Sequence, residues 1–159
     1  MYIWFSGEIR LLGVALSSVF LIREKNMMLS LSMAVLAIFG LVVSGYAYFV
    51  EKKIAQNPTY KAVCDLSDVI SCSKPITSPY GKLFGVSNAL LGIGYYTLFL
   101  ILLLAQAKVT LYVLALGAFL FSLYLAWLLY FRIRAFCILC TTTYVINILL
   151  LTLSFIYMR

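Results

Sequence analysis

The sequence contains no histidine, and only 11% of its 159 residues are charged. Without histidine there is no His-ligated haem or zinc and no Ser/His or Cys/His nucleophilic pair. Soluble domains usually carry about 25% charged residues, so this chain cannot cover a water-facing surface. A cytoplasmic enzyme, a disordered tail and a nucleic-acid-binding module are excluded on that ground. Acidic residues are scarce, five against twelve basic ones. The net charge of +7 does not point to nucleic acid, because the basic residues sit at segment ends rather than along one face. Contact with anionic lipid headgroups is the simpler reading. Proline is also scarce, and all three (Pro58, Pro75, Pro79) fall within residues 51–85.

What is abundant is apolar side chain: 65% of residues are hydrophobic and the mean hydropathy is +1.08. A bilayer core requires about 20 apolar residues of helix. Four stretches meet that length, at residues 27–50, 86–107, 109–131 and 135–158. Glu51-Lys52-Lys53 stops the first, Lys108 closes the second, Arg132 and Arg134 end the third, and Arg159 anchors the fourth. The expected fold is an all-α integral membrane protein, a bundle of four transmembrane helices with a Cys-bearing extramembrane loop, 51–85, between the first two. Residues 27–159 form the catalytic domain in this reading. The apolar run at 11–22 is short and flanked by charge, so residues 1–26 are expected to lie on the membrane as an interfacial segment. A fifth span or a cleaved leader is the alternative.

The four cysteines are the chemical resource. Cys64 and Cys72 lie in the loop, and Cys137 and Cys140 open the fourth span. Two spans separate the loop from the turn at 132–134, so all four cysteines face one compartment. Seven basic residues on that side against five on the other do not identify the compartment. Cys137-Ile138-Leu139-Cys140 places two sulfurs on one helical face at a helix N-terminus. Free N–H groups there, together with Arg132 and Arg134, favour the thiolate that attacks disulfides. A pair of buried, inert cysteines is the alternative. The loop pair admits a structural staple, a four-cysteine zinc site, or a second dithiol in an electron relay. The spacing of eight is wide for a zinc knuckle, and two dithiols facing one compartment favour the relay. Tyr144 follows Cys140 on the same helical face, and Asn147 continues that stripe. A polar group at membrane depth is a functional candidate unless it only joins helices. Ser87 and Asn88 open the second span, where N-capping is the simpler role. Asn and Tyr donors near a dithiol would suit the carbonyl oxygens of a quinone.

These residues resemble the vitamin K epoxide reductase family. The loop reads Ala62-Val63-Cys64-Asp65, then Ile70-Ser71-Cys72-Ser73, then Ser78, Gly81 and Phe84-Gly85. The last span reads Phe136-Cys137-Ile138-Leu139-Cys140-Thr141-Thr142-Thr143-Tyr144-Val145-Ile146-Asn147, and the third ends in Tyr124-Leu125-Ala126-Trp127. The resemblance implies a four-helix bundle around a quinone pocket, without metal. It implies that Cys137 and Cys140 are the catalytic pair, and that Cys64 and Cys72 relay electrons from a thioredoxin-like partner. Asn88 and Tyr144 would donate to the substrate oxygens, with Ser78, Phe84 and Tyr95 as further quinone-binding residues. The quinone would be vitamin K quinone, menaquinone or ubiquinone, as substrate or bound acceptor. A monomer is expected, its cysteines facing the endoplasmic reticulum lumen or, in a bacterial inner membrane, the periplasm. Only Val86 and Ser87 separate Gly85 from Asn88, where animal enzymes carry a longer lid, and Ile76 replaces the aromatic usual there. Both features resemble the prokaryotic branch, which couples quinone reduction to disulfide formation, while other stretches read closer to the animal form. Vitamin K 2,3-epoxide reduction is the competing enzymatic reading, and a non-catalytic membrane scaffold with structural disulfides the competing class. Another bacterial quinone-linked disulfide oxidase shares the four-helix plan but has its C-x-x-C-type pair first in the chain, the reverse of the order here.

Overall fold

In the computed structural model the chain is described over residues 3–57, 59–65, 70–83 and 85–159, with the backbone alone for residues 3–23 and Leu83. Helix α1 runs Ile3–Gln56. A short helix α2, Ser73–Thr77, and a 3-10 turn, Pro79–Gly81, follow in the loop. Helix α3 spans Asn88–Leu104, α4 spans Lys108–Trp127 and continues as a π-helical stretch Leu128–Ile133, and α5 spans Ile138–Met158. Among the described residues, three helical stretches are long and apolar enough to cross a bilayer: Glu24–Gln56, Lys108–Ile133 and Ile138–Met158. Asn88–Leu104 is apolar but only 17 residues long, about 26 Å at 1.5 Å per residue. The expected all-α bundle is the architecture found.

Packing explains how the bundle closes. Gly40 of α1 lies where the Tyr96 ring of α3 presses, so that any side chain there would overlap the ring. One buried cluster, Met33, Ala37, Tyr96, Phe99, Leu111, Ala115, Ile146 and Leu150 among its members, joins all four long helices. Outward faces carry exposed Leu31, Val35, Phe39 and Val42 on α1 and Leu120 and Leu123 on α4. Such a surface is a liability in water and the natural contact with lipid tails.

Three local features differ from the sequence reading. Glu51-Lys52-Lys53 ends the apolar run but not the helix, because Glu and Lys are good helix formers; α1 continues to Gln56, just before the Asn57-Pro58 step. At its other end, the backbone of α1 is helical from Ile3 and passes residue 26 without a break. The loop also contains a small antiparallel ribbon, β1 Lys82–Leu83 with β2 Val86–Ser87. It turns at Gly85, whose φ of 82° suits glycine, and it delivers Ser87 to the start of α3. The Ser87 hydroxyl accepts from the Ala89 N–H at 3.2 Å as an N-cap. It also donates to the Glu51 carboxylate, which ties α1 to the first turn of α3.

Candidate redox site

The loop is built around one carboxylate. Cys64 and Cys72 form a disulfide, their Cα atoms 5.8 Å apart. Asp65, next to Cys64, accepts from the backbone N–H groups of Ala62 (3.0 Å), Cys72 (2.7 Å) and Ser73 (3.0 Å). It also accepts from the hydroxyls of Ser71 (2.8 Å) and Ser73. Partial burial alone would raise its pKa, but the bonds from Ser73, Ser71 and Ala62 outweigh that and lower it to about 2. Asp65 therefore stays charged at any physiological pH and holds both cysteines in register. The sequence pattern gives this residue no role by itself. The available signal was an acid, rare in this chain, beside one cysteine while serines flank the other.

The loop docks directly onto the start of α5. Ser71 donates its N–H to the Phe136 carbonyl at 3.0 Å, within a parallel bridge between Ile70 and Phe136. The approach is set by Arg134, in the left-handed region at φ 53°, which ends the π-helical stretch and turns the chain. Consequently Cys72, two residues beyond Ile70, and Cys137, one beyond Phe136, are buried in one cluster with Val50, Ala62 and Leu129. Cys72 is 0% exposed and Cys137 1%, whereas Cys64 is half-buried. Cys137 is the N-cap of α5, and its sulfur accepts the Cys140 N–H at 3.3 Å. The Cys137 and Cys140 sulfurs are 2.6 Å apart, inside van der Waals contact and poised for the bond of about 2.05 Å that a disulfide requires.

Cys140, not Cys137, reaches a cavity. Its space of about 110 Å³ is walled by Cys140, Tyr144, Asn88, Tyr80 and Pro75, with Leu128, Leu129 and Ile133 from the π-helical stretch. π-helical turns concentrate at functional sites, and here one shapes a wall beside the C-x-x-C. A larger cavity of about 540 Å³ lies deeper, between α3, α4 and α5. Ser44, Leu125, Thr143 and Tyr144 line both, so the two adjoin. The deeper one is rimmed by Leu91 and Val113, both exposed on the lipid-facing surface.

The predicted site residues divide accordingly. Cys140, Asn88 and Tyr144 meet at the smaller cavity. Tyr95 lines the deeper one, its hydroxyl buried and without a partner among the described residues. Ser78 lies outside both linings, its hydroxyl donating to the Pro75 carbonyl at 2.7 Å. Phe84 lies outside the described residues. Asn88 donates from Nδ2 to the Tyr80 carbonyl at 2.9 Å, and its Oδ1 is buried without a partner among the described residues. Asn147 also lines the deeper cavity, but both its amide oxygen and its amide nitrogen are bonded to protein. It accepts from the Tyr96 hydroxyl at 3.0 Å and donates to Ser122 Oγ at 2.8 Å, and so joins α3, α4 and α5. Tyr96 and Ser122 carry no motif in the sequence, and only tertiary packing reveals them.

Comparison with known proteins identifies the family. The model of the vitamin K epoxide reductase family matches residues 31–155. The chain is 38% identical over 136 residues to vitamin K epoxide reductase complex subunit 1 of Rattus norvegicus, across 76% of this chain and 84% of that protein. The subunit of the same name from Mus musculus gives the same identity and coverage. With its apolar helices, its paired cysteines and a match over most of its length, the chain belongs to the vitamin K epoxide reductase family, as a multi-pass membrane oxidoreductase.

Proposed function

We propose that the protein passes two electrons from a thioredoxin-like dithiol to a membrane quinone, and so couples quinone reduction to disulfide formation. The partner reduces the half-exposed end of the loop pair at Cys64. The Cys72 thiolate then attacks Cys137 of an oxidised C-x-x-C, which releases Cys140 as a thiolate. Cys64 next attacks Cys72, releases Cys137 and restores the loop disulfide. The reduced pair finally gives two electrons and two protons to the quinone, forming the Cys137–Cys140 disulfide and a quinol. The observation that carries this reading is the Ser71–Phe136 bond, which buries Cys72 beside Cys137 while Cys140 faces the cavity. In this scheme the ring sits against Cys140, Asn88 and Tyr144, and a prenyl tail leaves through the deeper cavity past Leu91 and Val113 toward lipid. The protein acts as a monomer, with its cysteines on the lumenal or periplasmic side.

The test is quinone reduction by the purified chain with two donors. Dithiothreitol is small enough to reach the C-x-x-C without the loop pair, whereas a folded partner needs Cys64. Cys64→Ala should abolish turnover with a reduced thioredoxin-like donor and retain most of it with dithiothreitol. Equal loss with both donors would make the loop disulfide a structural staple. The names of the rodent relatives favour a second reading, with vitamin K 2,3-epoxide as the substrate. Turnover of the epoxide set against that of the quinone in the same assay separates the two.

A further inference from the structure

Hydroxyls inside the long helices follow one habit. Ser32, Thr97, Ser122 and Ser154 each donate to the backbone carbonyl four residues back. The three threonines at the start of α5 donate to carbonyls three or four residues back. This satisfies a hydroxyl where no water reaches it. Ser44 of α1 departs from the habit. The residue is only 3% exposed, yet its hydroxyl makes no hydrogen bond among the described residues. Nor is the oxygen sealed in protein, as Asn88 Oδ1 and the Tyr95 hydroxyl are. Ser44 lines both cavities, so the surface its oxygen keeps lies on them. Its direction is also given: Oγ turns toward α3 and stands over Gly92, where a Cβ would come within 2.7 Å of it. Gly92 itself lines the deeper cavity, which puts the hydroxyl at the junction of the two.

A buried hydroxyl that leaves its own helix carbonyl to face a cavity needs a partner from the cavity. Of the other residues that line both cavities, Leu125 is apolar and Thr143 is engaged with the Cys140 carbonyl at 2.7 Å. Ser44 and Tyr144 remain. In the quinone reading the prenyl tail crosses this junction. A prenyl group is carried on the ring carbon next to one carbonyl, so that carbonyl oxygen arrives at the junction with the tail. The other, across the ring, points away from it. We infer that Ser44 is a substrate-binding residue whose hydroxyl donates to the tail-side ring oxygen, and so fixes which way round the ring lies against Cys140. The inference rests on the quinone reading of the site and adds the orientation of the substrate. A hydroxyl accepts as readily as it donates. When the tail-side oxygen becomes the O–H of a quinol, Ser44 turns to accept, and the contact survives reduction. One such bond, made by a group otherwise left unpaired, corresponds to about tenfold in affinity.

The experiment uses the full chain in lipid nanodiscs, with dithiothreitol as donor and 2-methyl-3-prenyl-1,4-naphthoquinone as substrate. Two naphthols that keep the methyl and prenyl groups but a single oxygen serve as inhibitors. One carries its O–H beside the prenyl-bearing carbon, the other beside the methyl-bearing carbon. Ser44→Ala should raise the inhibition constant of the tail-side naphthol about tenfold and leave that of its isomer unchanged. Gly92→Ala keeps the hydroxyl but drives it off its place over α3, and should give the same selective loss. Weaker binding of both isomers alike in Ser44→Ala overturns the inference, because a packing defect does not tell two oxygens apart. Unchanged constants for both isomers overturn it too, as does a loss confined to the methyl-side isomer. All three leave the quinone site intact. If the wild type does not reduce the quinone, the functional reading fails and the inference with it. Ser44→Ala removes one oxygen and no carbon, so the comparison stands even where Gly92→Ala does not fold.

Discussion

Two asparagines that line cavities distinguish the two regions of this bundle. Asn147 sits in a closed network, bonded to Tyr96 on one side and Ser122 on the other, and it links three helices. Asn88 sits in an open one, with its amide nitrogen engaged and its oxygen buried without a partner among the described residues. By residue type alone the two are equivalent. What differs is what completes them: protein in the first case, and on our reading a ligand in the second. Buried polar groups are nearly always satisfied, so the orphaned atoms mark where the protein expects something else. Among the described residues, the unpartnered buried side-chain atoms are Asn88 Oδ1 and the Tyr95 hydroxyl, and both residues line cavities. Changes in the open region should therefore remove turnover and spare the fold, and changes in the closed region the reverse.

The largest effect is expected at the C-x-x-C, the reactive edge of the open region. Cys137 is buried against the loop pair and Cys140 faces the cavity, so their substitutions should differ in kind. Either serine variant ends turnover, since one thiol cannot supply two electrons by forming a disulfide. Cys137→Ser should in addition leave a Cys140 thiolate beside bound quinone, with a visible charge-transfer absorbance. The absorbance appearing in Cys140→Ser instead would reverse the two roles. Neither change should alter the melting temperature much, because serine nearly preserves the volume.

Tyr144 offers a sharper test, because it lies on the boundary between the two cavities and borders the deeper network. If its hydroxyl donates to a ring oxygen, it stabilises the negative charge that develops there as electrons arrive. Tyr144→Phe keeps the ring and its packing and removes only the hydroxyl. Loss of one such donor typically lowers turnover by about 10²–10³-fold. The turnover number should fall well beyond any rise in KM, with the fold intact by circular dichroism. Unchanged turnover with unchanged quinone affinity would move Tyr144 from the open region into the closed one.

Much of this arrangement was legible in the sequence, and the remainder depends on contacts that no local pattern encodes. Helix number and order follow from apolar length, which the bilayer enforces directly. That all four cysteines share one side follows from counting spans, and the C-x-x-C at a helix start follows from its spacing. The end of α1 is not legible in hydropathy because Glu51, Lys52 and Lys53 interrupt hydrophobicity without interrupting helix. The role of Asp65 was not visible because its donors come from Ala62 on one side and from Ser71, Cys72 and Ser73 on the other, gathered only once the loop has folded. Asn147 stood in the sequence as either a functional polar residue or a link between helices. The choice needed Tyr96 and Ser122, 51 and 25 residues away.

The smallest effect, and the reverse one, is expected at Asn147. Removing its side chain leaves the Tyr96 hydroxyl without its acceptor, and Ser122 Oγ retains only its own donation to the Ala118 carbonyl at 2.8 Å. Interhelical hydrogen bonds in membranes contribute about 0.6 kcal/mol on average and up to about 1.7 kcal/mol. An unsatisfied hydroxyl left behind adds to the loss, so Asn147→Ala should destabilise the bundle by about 1–2 kcal/mol. Thermal melting in detergent should fall by a few degrees. The turnover number per folded molecule should stay within about threefold of wild type, since a structural link does not touch the reacting atoms. The double variant Asn147→Leu with Tyr96→Phe removes both members of one bond and restores apolar packing, so it should regain part of the stability. A loss of turnover as large as that of Tyr144→Phe, without a fall in melting temperature, would show instead that Asn147 works on the substrate and that the deeper cavity belongs to the open region.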